Sequence, residues 1–504
     1  MPRVSQSVAM VAGLAALAAA LRFARIGHQG FWVDEGTTAL LVHFSPGKML
    51  GLIPQTESSP PLYYCIAWLW ARLFGFGEAP LRSLSALAGV ATVPVAWGAA
   101  KKLISERAGL IAAALTACNP LLIWYSQEAR SYALLVLLSA GALVAFAHAR
   151  AEPSRRTLSA WVVVSALALA THYYAALAVI PQAALLLIAH RRRRSVEVAV
   201  GAVAVCGLAV LPLAISQNIT SHSVWITQMA LGSRLGQIVP QFMVGFQATA
   251  YAVIAWIAGI AALLGVAWAP YRRGAGVPAS LVGGGLAMML VLVAVGVDDL
   301  ITRNLLPLWL PLAVVVSAGL ASRRIGLAAA AVICGLGVFA VGSVAVDRSF
   351  ERPDWRALVH VLGARPAPGV GERAILIQEY GDPLPLALYL PGLKFWGVGA
   401  NARYAGFGLA LRSPKLVVSE LDVISDTSRH SPSCWYGAAC ELWPSRMQAS
   451  YPIPGLRELW RKRVLQFTVM RLVSRRPVTL TSAIVSRALR TTSLAYDEVL
   501  IQPR

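Results

Sequence analysis

Charge is scarce in this chain. Only 13% of its 504 residues are Asp, Glu, Lys or Arg, about half of the roughly 25% usual in a soluble domain. Acids are the rarest, 23 against 44 basic residues. So little charge excludes an ordinary soluble enzyme. Cysteine is nearly as thin, with six residues. Four of them, Cys65, Cys118, Cys206 and Cys334, lie in apolar segments and read as small core side chains. There is no P-loop and no G-x-S-x-G elbow. No spacing matches a zinc or calcium site, and no internal repeat is evident.

What the chain does have is apolar length: 57% of its residues are hydrophobic. Runs near twenty residues recur from the N-terminus to about residue 346, each long enough to cross a bilayer. The net charge of +21 could suggest nucleic acid. Much of it sits instead in short loops between spans, where Lys and Arg mark the cytoplasmic side: 101–107, 149–156, 190–194, 271–276 and 322–324. Nucleic acid is therefore not an expected partner, and Arg191 to Arg194 read as a topology anchor. The first apolar segment reads as a retained span rather than a cleaved signal, because more spans follow it.

These loops predict an N-terminus inside and eleven spans, near 5–26, 83–101, 108–124, 132–148, 158–172, 174–190, 196–215, 248–269, 278–297, 304–321 and 325–346. An odd count puts the tail outside. Residues 62–76 are short, hold Arg72 and are rich in Trp and Tyr, so they read as a helix lying in the interface. Residues 28–82 then form one long outer loop. The expected domains are 1–346 in the membrane and a small extracytoplasmic α/β domain over 347–504. That domain has β-like runs at 374–378, 415–424 and 465–473, and helical stretches near 353–362 and 480–489. A disulfide between Cys434 and Cys440 is plausible in an oxidising compartment.

On this layout the polar, non-basic connections share the outer face. Asp34 and Glu35 follow a span that carries Arg22 and Arg25 near its outer end. A solvated loop pair and snorkelling arginines are the plain alternatives, but charge near membrane depth favours function, and acids with bases at one mouth favour an anionic lipid. In "WYSQEARSY" (124–132), Tyr125, Gln127, Glu128, Arg130 and Tyr132 crowd one tight turn. It reads either as an ion-paired turn in an aromatic belt or as a phosphate clamp with Arg130 supplying donors. Arg303 opens a later span and can equally snorkel. Glu78 and Arg82 can pair with each other, and His172 with Tyr173 and Tyr174 can be an interfacial belt.

Taken together, "WVDEG", "SSPPLYY", "FGEAPLRSLSALAG", "WYSQEARSY", "THYY" and "TRNLLPLWLPL" resemble the GT-C superfamily of membrane glycosyltransferases over most of residues 20–320. The likeness is greatest to the family 39 group of protein O-mannosyltransferases and lipid A aminoarabinose transferases. That group usually has His before the two prolines; Ser59 stands there in this chain. "DWR" (354–356) and "CWYGAAC" look like features of actinobacterial members. The resemblance implies a cell-envelope enzyme with a polyprenyl-phosphate sugar as donor and a glycan, lipid or protein acceptor. It implies Asp34 as catalytic base, with Glu35 orienting it or touching the acceptor. The donor phosphate falls by position to Arg130 and Arg303, then Arg22, Arg25 and Tyr64. Glu78, Arg82, Tyr125, Glu128, His172 and Tyr173 remain substrate-site candidates. The resemblance implies no certain cofactor, and it leaves a divalent metal open because members of the wider superfamily differ.

The chemistry agrees with the residue types. Phosphate is a good leaving group, so no protonated acid is needed across the bond, unlike in a glycosidase. One base and fixed guanidinium groups are enough. A lipid carrier or flippase is the rival reading. Carriers place ionisable groups near the midplane between repeated halves.

Overall fold

The computed structural model describes residues 2–219, 224–227, 229–367, 371–378, 383–396, 402–426, 447–489 and 498–503. They form two compact units. The first is Met1–Ile26 with Glu57–Val344; the second is Gly27–Thr56 with Ala345–Arg504. The expected boundary after residue 346 has its counterpart at Val344/Ala345. The expected outer loop 28–82 is divided at Thr56/Glu57, and its first half packs with the tail.

The first unit is helical because its Ala-, Leu- and Val-rich runs must satisfy every backbone group internally inside lipid. Among the described residues, eight helices are long and apolar enough to cross a membrane, or nine if one bent pair counts as a span. Of the eleven expected spans, 158–172 and 174–190 correspond to shorter helices, Arg155–Thr171 and Tyr173–Ala189. The bent pair is Glu106–Cys118 and Pro120–Ser126, which meet at 56°. Asn119 makes the corner: its side chain accepts from Leu122 N (2.9 Å) and donates to Phe242 O (2.7 Å). The central helix is Trp309–Leu320, all but one of whose residues are buried. It lies so close to Tyr251–Trp268 that a Cβ on Gly319 would collide with Gly265 O, the small-residue contact that lets helices touch in lipid.

Helix Leu62–Phe74 is thirteen residues long, about 20 Å, well short of a roughly 30 Å hydrocarbon core. It buries Tyr63, Tyr64, Ala67 and Ala71 and exposes Leu69, Leu73 and Phe74. Helix Leu231–Val244 was not foreseen, because Gly232, Gly236 and Pro240 interrupt its apolar pattern. It buries Phe242, Met243 and Val244 and exposes Leu231, Leu235 and Val239.

The second unit carries a seven-stranded mixed sheet in the order β3-β2-β7-β1-β4-β6-β5. The strands are β1 Arg373–Gln378, β2 Lys394–Trp396, β3 Ala410–Leu411, β4 Leu416–Asp426, β5 Arg457–Val464, β6 Phe467–Leu480 and β7 Glu498–Gln502. β1 and β4 are parallel, as are β2 and β3; β7, β6 and β5 pair antiparallel. The three β-like runs read from sequence are β1, β4 and β6, and both helical stretches form, as Trp355–Leu362 and Ser482–Leu489. Arg373, fully buried, donates to Leu362 O (2.7 Å) and Gly363 O (2.9 Å), pinning the end of the first helix to the sheet. Arg471 grips Asp422 bidentately at 2.7 and 2.9 Å. Edge strand β5 exposes Arg457, Arg461, Lys462 and Arg463, charge that opposes pairing with another strand. Cys434 and Cys440 lie outside the described residues.

Candidate active site

The two acids sit at the start of helix Val33–Leu41 in the second unit. Successive helical residues point about 100° apart, and here the two diverge. Glu35 is fully buried and its Oε2 accepts from Trp32 N (3.3 Å), closing the helix start. Asp34 stays half-buried at the surface of its unit. Glu35 thus has an anchoring job, and Asp34 is the reachable carboxylate.

The first unit gathers a second polar cluster. Arg130 Nη1 donates to both oxygens of Glu57, at 2.7 and 2.6 Å, and the Glu57 side chain is 1% exposed. Tyr64, buried, shares a hydrogen bond with Ser59 Oγ (2.9 Å), and its ring centre lies 6.0 Å from the Arg130 guanidinium carbon. Gln217 Nε2 donates to Ser59 O (3.2 Å), and Tyr173 OH donates to Gln217 Oε1 (2.7 Å). Ser85 Oγ donates to Arg130 O (3.2 Å). The Arg303 guanidinium lies 5.8 Å from the Tyr132 ring, which packs 5.7 Å from His172. His172 is itself buried. The turn before Arg303 is held firmly. Asp298 takes a bidentate pair from Arg234 (2.6 and 2.7 Å), whose hydrogen bonds lower its carboxyl pKa. Asp299 accepts from Tyr174 OH (2.7 Å), and Asn304 Nδ2 donates to Asp299 O (2.7 Å).

Arg130 and Arg303 are guanidinium donors of the kind that grip a phosphate strongly. Among the described residues, no three His, Cys, Asp or Glu side chains gather as a metal-ligand set.

Residues 58–216 match the model of the dolichyl-phosphate-mannose-protein mannosyltransferase family. No curated protein matches the chain by sequence. In three dimensions the chain is similar to ArnT from Cupriavidus metallidurans bound to undecaprenyl phosphate. The two are 15% identical, covering 92% of this chain and 97% of that one, with a TM-score of 0.57. The apo state of that ArnT gives 15% identity, 94% and 98% coverage and a TM-score of 0.56. The chain has the GT-C fold of membrane glycosyltransferases.

The family match takes in Ser59, Tyr64, Arg130 and His172, while Asp34, Gln217 and Arg303 lie outside it. Arg22 departs from its expected role. Pro120 has no N–H, so Thr116 O loses its helical partner at the bend. The buried Arg22 fills in: Nη2 donates to Thr116 O (3.1 Å), Nη1 to Ala117 O (2.9 Å) and Nε to Ser126 Oγ (3.2 Å). Its guanidinium is a brace for the bent pair rather than a phosphate ligand. Arg25 is exposed in a left-handed conformation (φ 57°) just past the first helix. Arg82, buried, donates to Ile26 O (3.0 Å), so it serves the end of the first segment. Glu78 heads helix Glu78–Leu103, where its charge suits the helix N-terminus. Tyr125 is buried against Tyr132 and Phe246, and Glu128 is fully buried in the turn. Gln127 Nε2 reaches back to Leu21, Arg22 and Ala24 carbonyls.

Glu57, Gln217, Asp298, Asp299 and Arg234 escaped singling out in the sequence. The signal for Glu57 was available: an acid two residues before Ser59 in a chain where acids are rare.

Proposed function

We propose that the chain is an inverting glycosyltransferase. It moves a sugar from a polyprenyl-phosphate donor to an acceptor hydroxyl or amine at the outer face of the cytoplasmic membrane. The N-terminus lies inside and the tail outside. The observation that carries this reading is that Arg130, paired with Glu57 beside Tyr64, and Arg303, over the Tyr132 ring that packs on His172, gather in one unit of a chain with the GT-C fold. Glu57 offsets one of those cations. ArnT of C. metallidurans, in its complex, binds undecaprenyl phosphate, a donor-type lipid.

In this mechanism Asp34 takes the proton from the acceptor as its oxygen or nitrogen attacks C1 of the sugar. The C1–O bond to phosphate breaks, its electron pair leaves with the phosphate, and the anomeric centre inverts. The guanidiniums of Arg130 and Arg303 stabilise the charge that grows on the leaving oxygen. Tyr64 and Ser59 hold the wall beside Arg130. Where the group usually has His, Ser59 makes a hydrogen bond but cannot carry a proton at neutral pH.

The test is a transfer assay in membranes supplied with radiolabelled polyprenyl-phosphate sugar. The expected result is label joined to an acceptor by a new glycosidic bond. Label that crosses the bilayer while remaining on the lipid identifies a carrier instead.

A further inference from the structure

We propose that the tail aims the base: Asp354, Arg356 and Tyr389 are positioning residues for Asp34. This rests on the reading of Asp34 given above.

The argument starts from what helix Val33–Leu41 lacks. It has nine residues, too few to hold itself in water, where isolated helices below about 12–15 residues are marginal. Its first turn, which carries Asp34, is set by the strand of backbone that leads into it. That strand, Gly27 to Phe31, is fastened to the tail at nearly every step, inside one compact unit. Arg356 Nη2 donates to Gly27 O (3.1 Å) and His28 O (2.5 Å). Gly30 N donates to Asp354 Oδ1 (3.2 Å), and Phe31 N donates to the Tyr389 hydroxyl (2.7 Å). The Arg352 guanidinium covers the Trp32 ring at 5.5 Å.

The fit is close as well as bonded. A Cβ on Gly30 would stand 2.7 Å from Arg356 Cβ and 2.9 Å from Asp354 Oδ1. One on Gly36, in the helix itself, would stand 3.1 Å from Pro385 Cγ. The same Asp354 oxygen also accepts from Ala357 N (3.1 Å), capping helix Trp355–Leu362. That helix is in turn nailed to the sheet by Arg373. A rigid path therefore runs from the sheet core through one helix cap to the residue four before Asp34. The "DWR" triplet is the middle of that path.

A misaimed base slows the chemical step without changing how the donor phosphate is held, since the proposed phosphate ligands belong to the other unit. The experiment measures kcat and donor KM for the full-length protein in detergent or membranes. Tyr389→Phe removes the hydroxyl that accepts from Phe31 N, Asp354→Ala removes the shared oxygen, and Asp354→Asn keeps it. Expected are kcat losses of about 10- to 100-fold for the first two, an unchanged donor KM, an unchanged thermal midpoint for Tyr389→Phe, and recovery of most of the rate by Asp354→Asn. Wild-type kcat in Tyr389→Phe and Asp354→Ala, alongside an inactive Asp34→Asn, overturns the positioning role alone. Losses shared by kcat, donor binding and thermal midpoint reduce the contacts to general stability and also overturn it. Full activity of Asp34→Asn sinks the base assignment itself, independently of the tail.

Discussion

Asp34→Asn is expected to lower sugar transfer by about 10²- to 10⁴-fold, the usual contribution of a general base. The amide has the shape of the carboxylate and cannot accept the acceptor's proton. Asp34 is the half-buried member of the pair. Glu35→Gln makes the contrast. Its amide oxygen can still accept from Trp32 N, so it should retain most of the rate. Initial rates with saturating donor, at matched expression, separate the two. Equal turnover by Asp34→Asn and wild type would remove Asp34 from the chemistry.

The second large effect belongs to Arg130. Its guanidinium is locked to Glu57 at 2.6–2.7 Å with both side chains nearly buried. Arg130→Ala would strand a buried carboxylate, a loss of about 3–5 kcal/mol, and would confuse binding with folding. Arg130→Lys avoids this, because an ammonium still pairs with Glu57 but lacks the fork that grips phosphate. We expect the Lys variant to keep its thermal midpoint within a few degrees and to lose about 10²-fold in kcat/KM for donor. The check is a donor titration in the same detergent as a melting curve. Wild-type donor affinity in Arg130→Lys would mean that the guanidinium never meets the phosphate.

Much of this protein is written locally. Apolar runs foretold the membrane helices, because a bilayer leaves a spanning segment no other way to satisfy its backbone. Alternation and β-branched residues foretold β1, β4 and β6. The crowding of Gln127, Glu128 and Arg130 in one turn pointed to the polar cluster. Other features were beyond reach. Arg22 looked like a lipid anchor until the bend at Asn119 opened carbonyls for it. Helix Leu231–Val244 stayed hidden because glycine and proline blur its period. "DWR" was visible as a motif but without a task.

The sequence by itself determined the membrane class and the helices, since each depends on residue type within a window of about twenty residues. Tertiary structure alone decided which unit holds Asp34, which carboxylate partners Arg130 and what fastens the backbone ahead of Asp34. Those contacts join residues 73 apart, Glu57 to Arg130, and 324 apart, Gly30 to Asp354. No local periodicity records pairings that only chain folding brings within hydrogen-bond distance.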